Sequence, residues 1–243
     1  MRITKDSFLL NKPIAHRGLW GNGVTENSLS AYEKAADLGY PIEIDLYLSA
    51  DGELFSFHDR TLERMTGEKG FIYDKTAAEL KNLRLKGTNE TIPTFDEVLN
   101  ITEGKIPLLV EIKNQPDKSV VDKTVARLKN YRGEFAVQSF NPFYIARVKK
   151  LAPEFIRGIL ATDDENDLKN ENPVTRFVIK NMPFNGFIKP DFISYHYSGV
   201  PLPRKKTKDK AVLCWTVTSQ KIYDDIKPFC DNIIFENFIP ERK

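Results

Sequence analysis

Residues 14–59 read IAHRGLWGNGVTENSLSAYEKAADLGYPIEIDLYLSADGELFSFHD, and this run sets the fold class. A short apolar strand ends in His16-Arg17-Gly18. A helical stretch follows, with Leu29, Tyr32, Ala35 and Ala36 on one face, Asn27 or Ser28 as N-cap and Gly39 as the stop. A second strand, PIEIDLYLS, comes next. GELFSFHD then reads as a short extra strand after the ADG turn.

The alternation continues outward. PTFDEVLNIT is helical and PLLVEIK a third strand; SVVDKTVARLKNY is a helix with Val121, Val125 and Leu128 on one side. EFAVQSF, EFIRGIL, DFISYHY, KAVLCWTVT and DNIIFEN supply strands four to eight, with helices at NPFYIARVKKLA and QKIYDDIKPF. Eight strands alternating with helices in 243 residues predict a single (β/α)8 TIM barrel over 1–243, with a short insertion after the second strand. No G-x-G-x-x-G follows the first strand, which counts against a dinucleotide fold. The link 59–92 reads as holding one short helical piece, TAAELKNL. Segment 161–190 is longer than a connection needs; it is either a cover over the barrel mouth or an outer-wall helix.

A net charge of +2 gives no pull toward nucleic acid or an anionic membrane. The basic run PRKKTKDK (203–210) reads as a solvated connection. Two cysteines, Cys214 and Cys230, make no disulfide framework or thiolate metal site. The N-terminus lacks the apolar core of a signal peptide, and no run of about 18 apolar residues is present, so a cytoplasmic protein without a stable membrane anchor is expected.

In a barrel, chemistry sits at the C-terminal ends of the strands. Glu43 and Asp45 lie two apart on the second strand and share a face; Glu111 and Lys113 do so at the end of the third. Carboxylates that interrupt apolar strands are costly unless paired or bound to a cation. Ion pairing with Arg17 and Lys113 is the plain alternative. Three carboxylates against two cations favour a metal, and all-oxygen donors favour Mg²⁺, Ca²⁺ or Mn²⁺ over zinc. Two of the three histidines, His16 and His58, fall beside these carboxylates, where one imidazole can accept a proton and the other donate one. Arg17 as a fork and Lys113 as a point charge suit a phosphate. His196, at the end of the sixth strand, fits a pocket lining or a structural role equally.

The order HRG, ENS, G-x-P-I-E-I-D, ADGELFSFHD, TLERMTG and EIK, continued in TIPTFDEVL, QSFNP, CWTVTS and DNIIFEN, resembles the glycerophosphodiester phosphodiesterases over nearly the whole chain. The resemblance implies a (β/α)8 barrel that cleaves small glycerophosphodiesters to glycerol 3-phosphate and an alcohol with one divalent cation, Mg²⁺ or Ca²⁺. It implies His16 and His58 as catalytic histidines, Glu43, Asp45 and Glu111 as metal ligands, Arg17 and Lys113 as phosphate contacts, and Trp215 as an aromatic lining the pocket. Departures are Thr25 where a Pro is usual, GYP in place of GAD, and Glu236 in FEN where TD is common. They bear on substrate preference and remove no catalytic group. The alternatives are a lipid-acting phosphodiesterase of the lysophospholipase D or sphingomyelinase D kind, with RFVIKNMPFNGF (176–187) as its membrane-facing loop, and a non-catalytic phosphodiester-binding protein.

Overall fold

The structure is a computed structural model that describes residues 2–241. Its contacts divide the chain into two compact units, residues 15–135 and residues 1–14 with 136–243.

In the unit 15–135, β1 (Ile14–His16) and β4 (Leu108–Ile112) run parallel to β2 (Ile42–Leu48). All seven residues of β2 are buried, as expected of a strand covered on both faces. The extra strand is present as β3 (Leu54–Ser56), antiparallel to β2. β1 pairs with β2 at Ile42 and Glu43, and β3 pairs with it from Leu46 to Leu48. β3 therefore engages the C-terminal half of β2, and the backbone N–H of Phe57 reaches the Asp45 carbonyl (3.0 Å). His58 is thereby delivered beside the β2 carboxylates.

The helix Leu29–Asp37 starts where Ser28 accepts the N–H of Ala31 and ends before Gly39, whose φ is +69°. Its buried face is Ala31, Tyr32 and Ala35, one step round from the expected stripe, with Leu29 and Ala36 only half-buried. The helices Ala77–Asn82 and Phe95–Thr102 each open with a reciprocal capping box, Thr76 with Glu79 and Thr94 with Glu97. The link 59–92 holds more than the one expected helix: Glu63–Thr66 and the 3-10 turn Ile72–Asp74 precede Ala77–Asn82. It has its own apolar cluster, in which Leu62, Ile72, Leu80, Leu85 and Ile92 pack with Tyr47, Phe55 and Phe57. That burial compensates for helices too short to stand alone.

The second unit is a run of five parallel strands, β5 (Phe135–Ser139), β6 (Arg157–Ala161), β7 (Phe192–His196), β8 (Ala211–Val217) and β9 (Asn232–Phe235). Between β6 and β7 lie three short helices, Glu165–Leu168, Pro173–Asn181 and Asn185–Ile188. Met182 and Ile188 are buried with Ile145, Ile159 and Ile193, in the layer between the sheet and the helix Pro142–Leu151. That placement fits the outer-wall alternative for these two residues. The basic run contains a short helix, Arg204–Thr207, with no buried residue. Among the described residues no helix is long and apolar enough to cross a membrane.

Candidate active site

The register of β1, β2 and β4 aligns the expected residues. His16 stands opposite Glu43, and Asp45 stands opposite Glu111. Register partners in a parallel ladder, and residues two apart on one strand, project to the same face, so His16, Glu43, Asp45 and Glu111 share it. One carboxylate oxygen from each of Glu43, Asp45 and Glu111 lies within 4.8 Å of the other two. All three side chains are buried, at 2%, 1% and 7% exposure.

Two cations hold part of this charge. The Lys113 ammonium lies 2.9 Å from Glu111 Oε1 and 3.2 Å from Asp45 Oδ1. Its pKa rises: burial lowers it, but Asp45 and Glu111 outweigh burial. The Arg17 guanidinium donates from Nη1 to Glu26 Oε1 (2.8 Å), and its Nε stands 3.6 Å from Asp45 Oδ2. That Nε–H is buried and, among the described residues, has no hydrogen-bond partner. Asp45 is held well below the usual carboxylate range. Burial acts to raise it, and Lys113, His58, Arg17 and the Asn27 amide overcome burial. Glu43 moves the other way: burial raises its pKa well above normal, and Asp45 and Glu111 push it further. Among the described residues its only hydrogen bond comes from the Arg17 backbone N–H (3.2 Å). A buried carboxyl with no cation of its own, beside two others, is the donor set a hard divalent ion fits.

The turn after β1 has a steric cause. Arg17 and Gly18 both have positive φ, +57° and +83°. A Cβ on Gly18 would meet the Ala31 carbonyl carbon and oxygen at 2.8 Å. Only glycine lets the strand end lie against the helix Leu29–Asp37 while turning Arg17 toward the carboxylates.

His58 is half-buried. Its Nδ1 lies 2.8 Å from Asp59 Oδ1. An ionised carboxylate only accepts, so Nδ1 carries the hydrogen and Nε2 is left for other chemistry. Burial, then Lys113, pushes the imidazole pKa down to about 4, against the pull of Asp45 and Asp59. The ring is therefore neutral at neutral pH.

A model of the glycerophosphoryl diester phosphodiesterase family matches residues 16–234, nearly the whole chain. The chain belongs to that family. A glycerophosphodiester phosphodiesterase of Caldanaerobacter subterraneus is 37% identical over 161 residues, which are 60% of this chain and 65% of that protein. The chain thus spans just under two thirds of that relative's length. A phosphodiesterase of Oleispira antarctica, solved in complex with the product sn-glycerol-3-phosphate, is 26% identical, with a TM-score of 0.77 over 93% of both chains. A glycerophosphodiester phosphodiesterase of Parabacteroides distasonis superposes at a TM-score of 0.74 with 24% identity, covering 93% of this chain and 94% of that one. These likenesses show the fold, a (β/α)8 barrel in which β3 is an additional strand.

The sequence assigns no place at the site to Glu26, Asn27 or Arg64, and it puts Asp59 at the strand end with His58 without a role. Glu26 pairs with Arg17, and Asn27 donates from its amide to Asp45 Oδ2 (3.0 Å). Asn27 is fixed by Tyr32, whose hydroxyl donates to its carbonyl oxygen (2.7 Å). Asp59 holds His58, and Arg64 holds Asp59 and Glu26. The signal available was two polar residues, Glu26 and Asn27, directly before a Ser-capped apolar helix. Trp215 and His196 belong to the other unit. Trp215 meets Phe140 and His196 edge-on, with ring centroids 5.6 and 5.3 Å away. Its buried indole N–H has no hydrogen-bond partner among the described residues. His196 Nδ1 lies 2.7 Å from Ser198 Oγ, within the turn that follows β7.

Proposed function

We propose that this chain, as one barrel domain, hydrolyses small glycerophosphodiesters to glycerol 3-phosphate and an alcohol. One divalent cation, Mg²⁺ or Ca²⁺, would be held by Glu43, Asp45 and Glu111. The observation that carries the proposal is the cluster of three buried carboxylates within 4.8 Å, in which Asp45 and Glu111 are ion-paired and Glu43, among the described residues, is not. Family membership and the glycerol 3-phosphate bound to the Oleispira relative support the substrate class.

When bound, the cation would polarise the phosphoryl oxygen and offset the mutual repulsion of the three carboxylates. The chain's own groups do the rest. Arg17, whose Nε–H makes no hydrogen bond among the described residues and stands 3.6 Å from Asp45 Oδ2, offers its guanidinium to a phosphate oxygen. Lys113 adds positive charge on the opposite flank of Asp45. His58, with Nδ1–H committed to Asp59, presents a neutral Nε2 able to take a proton from a nucleophile or, once protonated, to return one to the leaving oxygen. His16, across the ladder from Glu43, serves as the second member of this pair. The nucleophile is water or the substrate's own glycerol 2-hydroxyl. For Trp215 the support is the family resemblance alone, which implies an aromatic lining the pocket.

Incubation with glycerophosphocholine and, separately, lysophosphatidylcholine tests the reading. Release of choline and glycerol 3-phosphate from the first, with little turnover of the second, is expected. Turnover of the lipid alone, or binding of glycerophosphocholine without hydrolysis, would overturn it.

A further inference from the structure

Arg64 stands on the four-residue helix Glu63–Thr66, in the link after β3, and the chemistry proposed above makes no use of it. Its guanidinium grips Asp59 with two nitrogens, Nε to Oδ2 and Nη2 to Oδ1 (2.9 Å). The same Nη2 also reaches Glu26 Oε1 at 2.6 Å. Those two carboxylates have separate second partners. Asp59 Oδ1 accepts from His58 Nδ1 (2.8 Å), and Glu26 Oε1 accepts from Arg17 Nη1 (2.8 Å). The path His58–Asp59–Arg64–Glu26–Arg17 is thus continuous, with one cation at its middle.

We propose that Arg64 is a positioning residue that fixes His58 and Arg17 together, by holding Asp59 and Glu26 at once. The claim rests on the roles given to His58 and Arg17 under the proposed function. Without Arg64, the Asp59 carboxylate is free to rotate away from His58, and the ring loses what fixes its tautomer and plane. Glu26 then has Arg17 alone, and the Arg17 fork loses its far anchor. The platform is anchored: Leu62, the residue before the helix, is buried in the link's own apolar cluster, and the Leu62 N–H bonds the Gly70 carbonyl (3.0 Å). A planar fork is required, because a lysine ammonium cannot serve two carboxylates in this bidentate arrangement. The plain alternative is that Arg64 only ties the link to the β1 turn; it would then affect stability and nothing else.

The test is Arg64→Met and Arg64→Lys in the whole 243-residue chain with Mg²⁺ present. Glycerophosphocholine kinetics are measured beside ¹⁵N NMR of the imidazoles, a simple spectrum because the chain has three histidines. The His58 signal is assigned by its loss in His58→Gln. In the wild type, His58 should be the Nδ1–H tautomer. In Arg64→Met it should become a mixture, with kcat lower by roughly 10²-fold and KM raised through Arg17. Arg64→Lys should fall between the two. An unchanged His58 tautomer with wild-type kcat and KM in either folded variant, even at a lower melting temperature, overturns the proposal. If the wild type itself does not hydrolyse glycerophosphocholine, the functional reading fails, and the tautomer alone then decides the positioning claim.

Discussion

Glu43→Gln should have opposite effects on the metal-free and metal-loaded protein. In the metal-free chain Glu43 is a buried carboxyl whose pKa is raised by burial, Asp45 and Glu111. Such a group binds a proton more tightly folded than unfolded, so its contribution to stability is lost as pH rises from its ordinary value of 4.5 through the raised one. Near neutral pH the native chain carries that cost, and a neutral glutamine removes it. Metal-free Glu43→Gln should therefore melt at or above the wild-type temperature. Binding goes the other way. An ion at the centre of a triangle with 4.8 Å sides lies about 2.8 Å from each corner, an upper limit compatible with Ca–O contacts. Even at the dielectric of bulk water, removing one unit charge that close to a dication forfeits about 3 kcal/mol, roughly a hundredfold in affinity. At a metal concentration 100 times the wild-type Kd, the wild type gains about 2.7 kcal/mol of stability and the variant about 0.4 kcal/mol. For a chain of this length that is a melting-temperature rise of roughly 5–10 °C against about 1 °C. Differential scanning fluorimetry with EDTA or with Mg²⁺ or Ca²⁺ reads both effects. A variant with the full wild-type metal shift, or one strongly destabilised in EDTA, would refute the reasoning. The second outcome would make Glu43 an ion-paired structural residue.

Two further outcomes are expected. His16→Ala and His58→Ala should each lower turnover by roughly 10²–10⁴-fold with unchanged circular dichroism; near wild-type turnover in both would remove the acid–base assignment. Gly18→Ala should destabilise by about 1–3 kcal/mol in urea unfolding, because φ is +83° and the new Cβ would strike the Ala31 backbone at 2.8 Å; a neutral result would mean the turn has room to shift.

The carboxylates were legible in the sequence because they break apolar strands, and a charge inside PIEIDLYL or PLLVEIK has no cheap place in a core. The i, i+2 spacing then fixed their common face, and β2 and β4 bear this out with Asp45 opposite Glu111. Asn27 was harder. The sequence allows Asn27 or Ser28 as the N-cap; Ser28 caps the helix, and Asn27, at φ +51°, turns inward to Asp45. Nothing local distinguishes the two roles, which depend on where β2 lies. Arg64 and Glu26 are 38 residues apart, and their 2.6 Å contact exists only once the link 59–92 has packed on Tyr47, Phe55 and Phe57. The helices of that link and of segment 161–190 are short, mostly four to nine residues. Apolar periodicity hardly registers over so few turns, and long-range burial decides their fate.

The most direct test of the account is glycerophosphocholine turnover by protein stripped of metal, with the stripping verified by elemental analysis, and then supplied with Mg²⁺ or Ca²⁺. The account predicts no release of glycerol 3-phosphate from the stripped enzyme and restored release when one of the two ions is added, with Glu43→Gln needing far more of it. Full turnover in verified metal-free protein would contradict the account and leave Arg17 and Lys113 as the only groups stabilising the phosphate.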